Sequence, residues 1–159
     1  MTEIADGDYD LVITSGLSGE TWDATSGDSD DAGVEGLIDA WQVAVEAGSR
    51  VVAIRDDPRM SGGVLGCVDR AGVDAGSQCA VPRDDALAFD PQEQAVEAFA
   101  PDEVALVDLS DMYCDDAACS PVADGVLIYR DATHLTPLWA FSIADALERR
   151  IPASFVSGR

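Results

Sequence analysis

A chain of 159 residues with 47% hydrophobic content is long enough for one domain with a real core and too apolar to be wholly disordered. Its net charge of −22 comes from 31 acidic residues against 9 arginines, with no lysine. Such a surface repels nucleic acid and anionic membrane, which excludes both as partners, and the even spread of charge reads as solvation rather than as a binding tail.

Met1 to Asp10 is acidic and lacks the basic and apolar regions of a signal peptide, and no apolar run approaches the ~20 residues of a membrane span. Residues 1–9 read as an acidic lead, 10–151 as the domain and 152–159 as a tail. Asp10 to Thr14 is a short apolar run closed by Ser15-Gly16, the pattern of a buried strand and its turn. Gly19 to Gly33 is a polar loop. Val34, Leu37, Ile38, Trp41 and Val45 recur at helical spacing, and Gly48 closes that helix. Val51 to Arg55 is the next strand, ending at Asp56-Asp57-Pro58.

Residues 59–83 read as a long irregular stretch, which inside a compact domain needs a staple or a function. Asp90-Pro91-Gln92-Glu93 then supplies a cap, a proline at the first helical position and an acid in the first turn. Ala95, Val96 and Phe99 form the apolar face of that helix. Glu103 to Leu109 is a third strand and Val126 to Tyr129 a fourth. Thr136 caps a final helix with Pro137 at its first position, and Leu138, Phe141, Ala144 and Leu147 are expected on its core face. Alternating strands and helices predict an α/β fold with a right-handed parallel sheet. Functional loops of such sheets gather at the carboxyl ends of the strands, so Ser15-Gly16, Asp56-Asp57 and the loop from Asp131 to His134 are expected at one crevice.

The cysteines form two local pairs, Cys67 with Cys79 and Cys114 with Cys119. Neither has the spacing of a zinc ribbon, and a single histidine cannot complete two metal sites, so two short-range disulfides fit better than free thiols. They imply an oxidising compartment. No cofactor is indicated. Asp28 to Gly33 brushes against a calcium-loop pattern, but Ala32 fills a ligand position and Asp39 stands where a glutamate belongs. Asp115-Asp116 reads as a solvated turn, and Trp22, Trp41 and Trp139 as core or crevice wall.

The chemistry-bearing stretch is Asp131-Ala132-Thr133-His134, with the only histidine in the chain. A carboxylate three positions before an imidazole can accept a hydrogen bond from one ring nitrogen and leave the other free as a base. An ordinary loop histidine beside a turn aspartate fits the spacing as well. Gly27-Asp28-Ser29 is a tempting nucleophile, yet it follows a polar segment rather than a buried strand and reads as a helix cap.

Val51-Val52-Ala53-Ile54-Arg55-Asp56-Asp57-Pro58-Arg59, the cysteines ending in Cys79-Ala80-Val81-Pro82-Arg83, Val107 to Cys114, Cys119-Ser120-Pro121-Val122, and Gly125 to Asp131 with His134-Leu135-Thr136 together resemble one family. It is the SGNH-hydrolase-like domain fused behind bacterial membrane acyltransferases of the acyltransferase-3 type, and the resemblance covers about residues 8–150. It implies a flavodoxin-like three-layer α/β/α fold outside the cytoplasm, tethered to an N-terminal membrane acyltransferase domain. It implies acyl transfer from an acetyl donor to a cell-surface polysaccharide, with His134 as general base and Asp131 as its orienter. The family's Gly-Asp-Ser strand has no counterpart here, so the resemblance implies a domain truncated at its N-terminus and inactive alone. The Leu11–Ile13 strand then becomes an exposed apolar edge prone to self-association. The loop Thr14 to Gly19 should match the family's oxyanion-hole region, but its Gly-x-Asn-Asp signature is absent. The competing reading is a non-catalytic, disulfide-stapled surface domain binding a glycan or protein. A weaker one is an esterase using Ser15, Ser18 or Ser29.

Overall fold

The computed structural model describes residues 4, 9–18, 29–87 and 89–156. These fall into two compact units, one drawn from the residues up to 56, 89–108 and those from 149 onward, the other from 57–87 and 109–148.

The first unit holds a parallel sheet of β1 (Leu11–Ser15), β2 (Arg50–Ile54) and β4 (Val104–Val107), in the order β1-β2-β4. Strand pairing sets Val12 beside Val51 and Val51 beside Val104, so the period of two puts Val12, Val51, Ala53, Val104 and Leu106 on one face. That face packs against helix α1 (Ser29–Glu46) through Trp41 and Ala44, with Val34, Leu37, Ile38 and Val45 around them. The stripe recurs at three and four residues, as the sequence predicts. Gly48 ends the helix at φ 91°, its N–H donating to Val45 O and that of Ser49 to Ala44 O, which is the Schellman pattern. Helix α5 (Pro91–Ala95) and a 3-10 turn over Val96–Ala98 complete this layer, with Ala95 fully buried and Phe99 against Trp41.

The other face carries Arg50, Val52 and Ile54. The Arg50 guanidinium lies 5.8 Å over the ring of Phe155, from the short C-terminal helix α7 (Ala153–Val156), so α7 covers this side. Helices on both faces give the α/β/α layering. Arg55 bonds Glu93 at 2.8 Å and Asp108 at 3.3 Å, tying the end of β2 to α5 and β4. Among the described residues β1 pairs with β2 alone, and Ile13 is 51% exposed.

Three sequence expectations change in the second unit. Residues 59–83 are not irregular. They form α2 (Val64–Ala71), a 3-10 turn (Gly72–Asp74) and α3 (Ala75–Gln78) before a short strand, β3 (Val81–Pro82). Helices this short are marginal alone, and the glycines within them hide the periodicity. The Cys67–Cys79 disulfide and burial of Val64 and Ala75 supply the tertiary tie. By loop-closure entropy a bridge of this span contributes about 3 kcal/mol.

The expected fourth strand does not join the parallel sheet either. Helix α4 (Arg83–Ala86) follows β3, which pairs antiparallel with β5 (Ala118–Cys119). Then β6 (Val122–Ala123) and β7 (Val126–Leu127) close a hairpin of their own. Its two turn residues, Asp124 and Gly125, have φ of 50° and 77°. Positive φ at both central positions is the primed turn that Asp-Gly favours, and it sends the chain back on itself.

The last long helix, α6 (Pro137–Arg150), buries Trp139, Ile143 and Ala146 rather than the expected Leu138, Phe141, Ala144 and Leu147. Leu138 is 66% and Phe141 81% exposed. Trp139 decides the register, since its ring meets Tyr113 edge-on at 5.8 Å. No helix among the described residues is long and apolar enough to cross a membrane.

Candidate active site

The loop that carries the imidazole is built by the chain on either side of it. Ile128 N donates to Pro121 O, and Thr136 N donates back to Ile128 O at 2.7 Å. Tyr129 and Leu135 form an antiparallel bridge, and Arg130 N donates to His134 O. Residues 130–134 therefore form a tight reversal closed at its neck. Met60 N donates to Ala132 O at 2.8 Å and pins the tip. Below the neck Tyr129 is fully buried, 6.3 Å from Tyr113. The Cys114–Cys119 disulfide closes the segment that presents Tyr113, and Ser120 N donates to Tyr113 O.

Beyond the loop Thr136 acts in two directions. Its Oγ1 donates to Leu127 O at 2.7 Å and accepts from Trp139 N at 3.2 Å, so the predicted cap holds α6 and the hairpin together. Pro137 at the first helical position completes the helix start.

Within the reversal, Asp131 Oδ1 accepts from Thr133 N at 2.9 Å and from His134 N at 2.8 Å, an Asx turn. The same carboxylate meets the His134 ring, with Nδ1 2.9 Å from both Oδ1 and Oδ2. Thr133 Oγ1 lies 3.4 Å from that nitrogen. An acceptor-only carboxylate fixes the neutral tautomer, with the proton on Nδ1 and a lone pair on Nε2. The pair is open to solvent, the side chains of His134 and Asp131 being 59% and 49% exposed.

The Thr133 N–H, and after it the His134 ring, hold the Asp131 carboxyl down to about 2, from the ordinary 3.8. A carboxyl depressed in the folded state lends stability above its unfolded value and loses it as the pH falls through the folded one. The reversal is therefore expected to keep its amide protection at Thr133 and His134 at pH 4 and to open as the pH falls toward 2. The Asp131 carboxyl carbon should titrate near 2 by NMR, and titration at the ordinary carboxylate value would show that these bonds do not persist in solution.

Asp115-Asp116 does sit in a turn, but a structured one. Asp115 Oδ1 accepts from Ala117 N and Ala118 N, both at 2.8 Å, which hold its carboxyl below the usual range. Arg83 donates to Asp115 O at 3.0 Å and Ser110 Oγ at 3.2 Å, bracing the second disulfide loop.

The serines separate. Ser18 is buried, and its Oγ donates to Asp56 Oδ2 at 2.7 Å. Ser15 ends β1. Ser29 opens α1, while Gly27-Asp28 and Trp22 lie outside the described residues, as does Asp28 of the calcium-like pattern. Among the described residues no three His, Cys, Asp or Glu side chains gather as a metal site. The sequence reading missed Met60 and Thr133, which act through their backbone and leave no mark in residue type.

The parallel sheet with helices on its faces defines an α/β protein, and the second unit carries an imidazole whose Nδ1 meets a carboxylate. Residues 4–149 match the SGNH domain fused to AT3 domains, and the chain belongs to that family. Among solved structures it is similar to the periplasmic domain of the Salmonella ser. Paratyphi A lipopolysaccharide acetyltransferase. The TM-score is 0.59 and the identity 15%, over 92% of this chain and 60% of that one. This chain therefore spans less than two thirds of that structure. None of the curated proteins matches it.

Proposed function

We propose that the chain is the acid–base portion of an extracytoplasmic domain that moves O-acyl groups, acetyl foremost, on a cell-surface polysaccharide, working beside a membrane AT3 domain. Membership of a family fused to AT3 domains supports the partner. The likeness to the periplasmic domain of a lipopolysaccharide acetyltransferase supports the chemistry and the compartment. Two disulfides suit an oxidising compartment.

The single observation that carries the reading is the contact of His134 Nδ1 with both Asp131 oxygens at 2.9 Å. With that nitrogen occupied, Nε2 takes the proton of a serine hydroxyl as the oxygen attacks the acyl carbonyl. Nε2 then returns the proton to the departing alcohol or thiol. In the second half, the polysaccharide hydroxyl gives its proton to Nε2, attacks the acyl-serine and leaves acylated, and the serine recovers the proton. Asp131 remains ionised throughout and stabilises the imidazolium. Ser18 is not that serine, because its hydroxyl is committed to Asp56. In a membrane acyltransferase carrying this domain, His134→Ala is expected to lower acetyl transfer by at least about a thousandfold. Turnover unchanged by that substitution would remove His134 from the reaction.

A further inference from the structure

The side chains of Asp131 and His134 stand largely in solvent, so the geometry of the pair has to be fixed from beneath the reversal. A loop closed by a few backbone bonds opens locally at small cost unless buried side chains anchor it. The anchors here are Tyr129, at the entry to the reversal, and Trp139, in the first turn of the helix that follows it; both are buried. They share one neighbour. The buried Tyr113 ring lies 6.3 Å from that of Tyr129 and 5.8 Å from that of Trp139. Both separations fall in the range at which aromatic rings attract one another.

Each anchor is tied to the reversal through the backbone. Tyr129 bridges Leu135, and Trp139 N donates to Thr136 Oγ1, while Thr136 N closes the neck on Ile128 O. A shift of either ring therefore moves one end of the loop against the other. The tolerance is small. His134 Nδ1 meets both Asp131 oxygens at 2.9 Å, and a contact stretched to about 3.6 Å is no longer a hydrogen bond.

Tyr113 is itself held by its own segment. Its N–H donates to Ser110 O, its carbonyl accepts from Ser120 N, and the Cys114–Cys119 bridge closes the chain between. Arg83 grips the same segment at Ser110 and at Asp115.

We propose that Tyr113 positions the acid–base pair, its ring being the wedge between Tyr129 and Trp139 that keeps both ends of the Asp131–His134 reversal in register. The disulfide loop is the mount of that wedge. Its effect on turnover rests on the reading of His134 as a base, but the positioning does not.

The test is NMR on the full chain carrying Tyr113→Leu, with Tyr113→Phe as the conservative variant. Leucine fills much of the space and has no ring to set against the other two. Amide protection at Arg130 and Thr136, the donors of the neck, is expected to fall at least about tenfold with both ring contacts gone. The Asp131 carboxyl carbon should titrate above the value of about 2 that the closed loop gives it, moving toward the ordinary 3.8. Tyr113→Phe keeps the ring and should leave both readings as in the parent. Val64→Ala, which opens the core under α2, controls for lost stability alone and should leave Asp131 near 2. Should Tyr113→Leu not fold, Cys114→Ala combined with Cys119→Ala frees the mount and keeps all three rings. A bridge over so short a loop contributes less than the Cys67–Cys79 bond, so this variant keeps its fold and should show the same two shifts.

In a membrane acyltransferase carrying the domain, Tyr113→Leu is expected to lower kcat at least about tenfold with the KM for the acyl donor unchanged, and Tyr113→Phe to restore it. Both NMR shifts in a protein whose turnover ignores His134→Ala would keep the wedge and retire the base. Unmoved protection and titration in whichever variant folds, or equal changes in Val64→Ala, would overturn the proposal.

Discussion

Asp131→Asn is expected to lower acyl turnover by about three to four orders of magnitude while leaving the loop closed. The amide oxygen of asparagine can still accept from Thr133 N and His134 N, the two bonds that make the Asx turn. What changes is the atom 2.9 Å from His134 Nδ1, where a carboxylate oxygen gives way to an NH2 group. A donor there favours the tautomer with the proton on Nε2, and a protonated Nε2 cannot accept from a hydroxyl. Asp131→Ala should lose the turn as well as the tautomer, so amide exchange at Thr133 and His134 separates the two variants. The assay is acetyl transfer by a membrane acyltransferase carrying the substitution. Activity within tenfold of the parent would show that the imidazole works without its carboxylate, and the proposed mechanism would lose its second member.

The Asp131–His134 arrangement was legible because every part of it is local. Three residues separate the partners, and the backbone donors belong to the same reversal. The Asp90-Pro91 helix start and both disulfides were legible for the same reason, each being written within a dozen residues or so. The corner in which Ser18 Oγ donates to Asp56, and Asp56 N and Gln92 N donate to Asp90, was not. Its members stand 34 and 38 residues apart, and nothing in their spacing says that they meet.

The face of α6 shows a subtler limit. Leu138, Phe141, Ala144 and Leu147 form one helical stripe; Trp139, Ile143 and Ala146 form another, rotated by about 100°. Both are apolar. The choice falls to Tyr113, which comes from a loop positioned by the Cys114–Cys119 bridge rather than from the helix itself. The hairpin at Asp124-Gly125 is different, for there the signal was present and the apolar run after it drew the reading toward a sheet strand.

Trp41→Ala is expected to cost about 3–5 kcal/mol of folding stability, a large share of the roughly 5–15 kcal/mol that a domain has in total. Trp41 is 2% exposed and stands at the centre of the cluster where Val51, Ala53 and Val104 of the sheet meet Ala44 and Ala95 of the helices. Its ring lies 6.2 Å from that of Phe99, tilted by 56°. Truncation to alanine loses that contact and opens a void that small neighbours such as Ala44, Ala53 and Ala95 cannot reach across, so the cavity cost adds to the lost burial. With a urea slope of about 2 kcal/mol/M, the midpoint followed by far-ultraviolet circular dichroism should fall by about 2 M. Trp41→Phe keeps an aromatic partner for Phe99 and should lose less than half as much. Phe141→Ala is the matched surface control, since at 81% exposure its ring buries little and its removal should stay within about 0.5 kcal/mol. If Trp41→Ala and Phe141→Ala shift the midpoint equally, the α1 stripe does not seat on the sheet as described, and the corner of Asp56, Asp90 and Gln92 that this packing steadies loses its support.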